Sequence, residues 1–113
     1  MSVKTYLLND LDMIKNSFPS ICIPNVNYDI STTYMYEKFN KLFKYNVKRI
    51  DFIIKNKRGI EVKQYFIHLK EWYRNDYLDT FRLKLLNKEC VNVVYEHMNY
   101  FKCYMSISKI SNK

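Results

Sequence analysis

The chain has 113 residues, 48% of them hydrophobic and 27% charged, which is the composition of one globular domain and leaves no room for a two-domain enzyme. Lys and Arg number 19 against 11 Asp and Glu, a net charge of +8 that attracts polyanions such as nucleic acid. A single Gly excludes the phosphate-binding loops that need several, and 17% aromatic residues argue against disorder. Lys, Asn, Ile and Tyr dominate as they do in AT-rich genomes, so position along the chain carries more than abundance.

Cys22, Cys90 and Cys103 are odd in number, widely spaced and without a CxxC pair. They predict free thiols in a reducing compartment rather than disulfides or a zinc site. No stretch approaches the ~18 apolar residues of a membrane span, and Asp10 and Asp12 interrupt the apolar start, against a signal peptide. The expectation is an intracellular protein with no membrane partner and no cofactor.

Leu7, Leu11, Ile14 and Phe18 recur at helical spacing, so residues 1–19 read as a short helix or a mobile segment before the domain, ended by Pro19. Residues 20–26 are rich in branched residues and alternate as a strand. Ser31 follows as a helix N-cap, with Ile30 and Met35 placed as a hydrophobic staple. Met35, Phe39, Leu42 and Phe43 give the helix one apolar stripe. Residues 47–55 and 61–69 alternate on either side of Asn56-Lys57-Arg58-Gly59, a turn in which Gly59 supplies positive φ. Together they form a hairpin with a basic tip. Ile50, Phe52 and Ile54 point one way, and Arg49, Asp51, Ile53 and Lys55 the other.

Asn75 or Asp76 caps a second helix with Leu78, Phe81, Leu85 and Leu86 on its buried face. Residues 90–95 make a fourth strand. Residues 100–107 make a fifth, or a cover laid across the sheet, and 108–113 form a frayed tail. The predicted fold class is α+β. It is a ferredoxin-like βαββαβ two-layer sandwich over residues 20–107 with a C-terminal β extension, and one sheet face is left open for function. Met35, Phe39, Phe52, Ile67, Leu78 and Leu85 are assigned to one core, and Trp72 to packing at a strand end.

Over residues 20–96 the order and spacing resemble an RNA-recognition motif. The first-strand signature of that family matches Ile21-Cys22-Ile23-Pro24-Asn25-Val26. Its third-strand octamer matches Val62-Lys63-Gln64-Tyr65-Phe66-Ile67-His68-Leu69. The family stacks bases on three aromatics. Here Phe66 is one of them, and Cys22 and Gln64 hold the other two places. The chain is also similar to small uncharacterised proteins of nucleocytoplasmic large DNA viruses. The likeness runs through Ile23-Pro24-Asn25-Val26, Lys48-Arg49-Ile50-Asp51, His68 to Trp72, and Val94-Tyr95 followed by Tyr100-Phe101. A viral origin would place it in host cytoplasm or nucleus.

The sharpest functional signal is residues 41–63, where eight cations face two carboxylates. The predicted nucleic-acid-binding residues are Phe66, Gln64 and His68 on the sheet face, with Arg49, Lys55, Lys57, Arg58 and Lys63 supplying charge. The predicted partner is a single strand, RNA ahead of DNA, bound mainly by electrostatics. The alternative is a protein partner or a homodimer docked on the same face. His68 and His97 lack ligand spacing with the cysteines, so no metal is expected. Neither a nucleophile motif nor paired carboxylates suggest catalysis.

Overall fold

The computed structural model describes residues 4–107. It is α+β, a five-stranded antiparallel sheet with two helices packed against it. In chain order the elements are a short 3-10 helix (Leu8–Met13), β1 (Ile21–Asn27), α1 (Thr32–Leu42), β2 (Val47–Lys57), β3 (Ile60–Leu69), α2 (Asp76–Leu86), β4 (Val91–Glu96) and β5 (Asn99–Met105). The sheet order is β2-β3-β1-β5-β4.

The helices start where their caps demand. Ser31 Oγ accepts the Tyr34 amide at 3.1 Å, and Asn75 Oδ1 accepts the Leu78 amide at 2.7 Å, each taking up an amide that the first turn leaves unpaired. Met35 and Phe39 of α1 and Leu78, Phe81 and Leu85 of α2 meet Ile21, Ile23, Tyr65, Ile67, Phe101 and Cys103 of the sheet in one core. Period-two alternation sends the odd-numbered residues of β5 and the end of β3 to that core and the even-numbered ones to the opposite face. Trp72 joins the core through Phe43 and Phe81, with ring centroids 5.2 and 5.8 Å away.

Three expectations change. The ferredoxin-like order, with the strand after the second helix beside the first strand, is not what forms. The neighbour of β1 is β5, with Ile21 opposite Met105 and Cys22 opposite Tyr104, and β4 lies at the outer edge. The C-terminal extension is thus part of the central sheet: its inward Phe101 and Cys103 are fully buried, and Phe101 stacks 4.0 Å from Tyr95 of β4.

The N-terminal helix over 5–18 is reduced to the 3-10 turn, in which only Leu11 is buried. Past the 3-10 turn the backbone is extended at Ile14 (φ −106°, ψ 146°), and the carbonyls that follow are engaged by the domain. Buried Arg82 donates to the carbonyls of Phe18 and Lys15, both at 2.9 Å, and the Trp72 amide and indole donate to Asn16 and Pro19. Asn87 and the Tyr6 backbone exchange a reciprocal pair of hydrogen bonds. The segment is therefore docked from Tyr6 onward. Finally, Phe52 is 41% exposed rather than core, because the β2–β3 hairpin projects past the helices; Ile54 and Ile60 beside it are exposed as well. The tail expected at 108–113 lies outside the described residues.

Candidate nucleic-acid interface

The face of the sheet away from the helices is built by alternation. From β2 it receives Arg49, Asp51, Ile53 and Lys55, and from β3 Val62, Gln64, Phe66 and His68. From β1 it receives Cys22, and from β5 Tyr100, Lys102 and Tyr104. Residues 99–105 lie in the plane of the sheet as β5 and leave this face uncovered: Ile53, Val94, Tyr100 and Tyr104 are exposed on it.

The predicted site residues separate into three groups. Phe66, Gln64, His68, Arg49 and Lys55 share the open face. Phe66, however, sits on the central strand between Cys22 and Asp51 and is only 6% exposed, so its ring offers little surface to a base. Gln64 is turned to its neighbour, donating to Cys22 Sγ at 3.1 Å, and burial pushes the Cys22 thiol pKa upward. Lys57 and Arg58 form the hairpin tip. There Arg58 and Gly59 adopt φ of 55° and 83°, the two positive values of a type I′ turn, and Asn56 Oδ1 accepts the Gly59 amide. Lys63 lies apart from the rest. It points to the helix side, where its ammonium donates to the Ile30 carbonyl at 3.1 Å and caps the rings of Phe52, Tyr28 and Tyr65. Its role there is to hold the loop before α1 against the hairpin.

Two features of the face escaped the sequence. The first is a groove of about 350 Å³ lined by Pro24, Asn25, Tyr100, Lys102 and Tyr104. Pro24 has no amide to give a ladder, and Pro24 and Asn25 together oppose Gln64 alone, which makes a bulge in β1. Pairing of β1 with β5 stops at Cys22–Tyr104, so the sheet surface parts beyond that point. Tyr100 and Tyr104 are 46% and 38% exposed, with Lys102 between them. Lys57 reaches the same place from the hairpin, its ammonium 3.3 Å from Asn25 Oδ1.

The second feature is a row of hydrogen bonds from β2 to the start of β1. Asp51 Oδ2 accepts from Arg49 Nε at 2.9 Å and from His68 Nε2 at 3.1 Å. A carboxylate only accepts, so Nε2 carries the proton, Nδ1 is the acceptor, and Ser20 Oγ donates to it at 2.9 Å. The order resembles a nucleophile–base–acid row, but burial first, and then Arg49, lowers the His68 pKa and makes the imidazole a weaker base. The row fixes the orientation of the imidazole ring. It borders a cavity of about 690 Å³ at the end of the sheet.

Among the described residues no group of three or more His, Cys, Asp or Glu side chains is placed to hold a metal ion, and no helix is long and apolar enough to cross a membrane. No family model, no curated protein and no solved structure matches this chain.

Proposed function

We propose that the chain is a non-catalytic module that binds single-stranded nucleic acid, RNA ahead of DNA, across the open sheet face. The observation that carries this is the exposed Tyr100-Lys102-Tyr104 strip on β5, beside the β1 groove. Exposed aromatic rings on a strand give bases a flat apolar surface on which to stack, and a lysine between them neutralises the connecting phosphate. Lys55, Lys57, Arg58 and Arg49 extend the positive surface along the hairpin and across β2. The fold would be a variant of the RNA-recognition-motif arrangement in which stacking has moved from the third strand to the fifth.

Affinity in this reading is mainly electrostatic, tolerant of sequence and steeply dependent on salt. The competing reading is a protein-docking face. A face sealed by residues 97–107 would have favoured it, but those described residues that form β5 lie within the sheet. A titration with random-sequence single strands tests the proposal: saturable binding that weakens with salt supports it. Absence of binding at low salt would transfer the face to a protein partner or a second copy.

A further inference from the structure

Among the described residues, the cavity of about 690 Å³ at the end of the sheet is lined by four cationic side chains, Lys15, Lys48, Arg49 and Lys70, and by no carboxylate; Asp51, outside the lining, pairs with Arg49. Its making is legible in the backbone. Lys48 and Arg49 are consecutive and would ordinarily point to opposite faces of β2. A bulge sits between the Val47–Leu69 and Arg49–His68 pairs, and it lets both line the cavity. Lys15 is delivered by the N-terminal segment, which Arg82 and Trp72 clamp through the carbonyls of Lys15, Asn16, Phe18 and Pro19. Arg82 is itself 1% exposed and hydrogen-bonded to those carbonyls, so a further positive charge lies behind the wall.

Gathering like charges around a concavity is unfavourable unless an anion offsets it. The lining also offers a hydroxyl donor: Ser106 Oγ has no hydrogen-bond partner among the described residues, on a residue that is 7% exposed, whereas the Ser20 hydroxyl is taken up by His68.

We propose that this cavity binds the terminal phosphate of a single strand. The inference rests on the nucleic-acid reading for what the phosphate is attached to, but the cavity's preference for a phosphate group does not. A terminal phosphomonoester carries close to two negative charges where an internal diester carries one, so it is the better match for Lys15, Lys48 and Lys70, with Arg49 already paired to Asp51. The volume exceeds that of a lone phosphate and is in the range of small-molecule sites, leaving space for the terminal sugar. Position agrees as well. Ser20 precedes Cys22, the partner of Tyr104, by two residues, roughly 7 Å along the strand. A strand anchored by its end here would run directly onto Tyr104 and then Tyr100.

The test compares one random-sequence oligonucleotide in three forms, 5′-phosphorylated, 3′-phosphorylated and with hydroxyls at both ends, by fluorescence anisotropy on the full chain. One phosphorylated form should bind about tenfold or more tightly than the hydroxyl form. Lys48→Gln with Lys70→Gln, both exposed and outside the sheet-face strip, should abolish that gain while hydroxyl-strand affinity stays within about threefold. Equal affinities of all three forms overturn the inference and leave the sheet-face reading standing. Inorganic phosphate titrated alone separates the two in the other direction. A saturable shift of the His68 ring resonances supports the cavity as a phosphate site even if no strand binds, in which case only the nucleic-acid reading fails.

Discussion

Replacing Tyr100 and Tyr104 by Ala removes the two aromatic rings exposed on β5 without touching a charge. Their rings are 46% and 38% exposed and lie outside the core, so the substitutions should leave the fold intact. Stacking is worth ~1–3 kcal/mol per base, so each single substitution should weaken single-strand binding by between about fivefold and 150-fold. The double substitution should cost more than either alone if two bases are held. Tyr→Phe at either position keeps the ring and should bind within about threefold of the parent. The dependence of log K on log salt should keep its slope, because no phosphate contact is lost. Phe66→Leu is the contrast: with 6% exposure its cost should appear in melting temperature rather than in stacking. The assay is fluorescence anisotropy over a range of salt concentrations. If the Tyr100/Tyr104 double variant binds within twofold of the parent, the strip is not a stacking platform.

Phe39 is fully buried, 6.0 Å from the Phe43 ring and 5.7 Å from Phe101; Phe39→Ala should cost ~3–5 kcal/mol and lower the thermal midpoint by roughly 10 °C or more, and unchanged melting would contradict its place in the core. Exchanging Lys57 and Arg58 together for Gln should weaken binding to all sequences alike and flatten the log–log salt slope by up to roughly 1.4, at about 0.7 per phosphate; binding equal to the parent would remove the hairpin tip from the interface. Because burial and Arg49 lower the His68 pKa, the folded chain binds its proton less readily than the unfolded chain. The neutral ring is therefore accommodated at pH 7, and stability should fall as pH drops below about 6.5. Chemical denaturation between pH 7.5 and 5 should show a steeper loss in the parent than in His68→Gln, and identical profiles would refute this.

Periodicity and capping made the strands, both helix starts and most of the core legible, because those depend on local pattern alone: Ser31 and Asn75 cap where they were expected, and Ile50 and Ile53 take opposite faces. Long-range choices were not legible. Nothing in residues 91–105 says which strand of their hairpin will lie beside β1. The answer depends on how Phe101 and Cys103 fit under the helices. The N-terminal stripe has helical spacing, yet the chain is extended at Ile14, and the carbonyls of Lys15 and Phe18 go to buried Arg82, a residue whose spacing does not mark it as an anchor. Lys63 lay within the basic run but faces the helices, since alternation places it with Tyr65 rather than with Phe66. The Tyr100-Lys102-Tyr104 face was present in the alternation of residues 99–105, but its exposure depended on β5 entering the sheet instead of covering it. Ser20, Asp51 and His68 are far apart in sequence and meet only through strand pairing and the Lys48 bulge.

Salt-dependent titration of the full chain with a random-sequence single strand decides whether the open sheet face binds nucleic acid. The account predicts saturable binding at low ionic strength, little discrimination among sequences, and a linear fall of log K with log salt at a slope of about −0.7 for each phosphate neutralised. Absence of binding at low salt, or binding indifferent to salt, would contradict it.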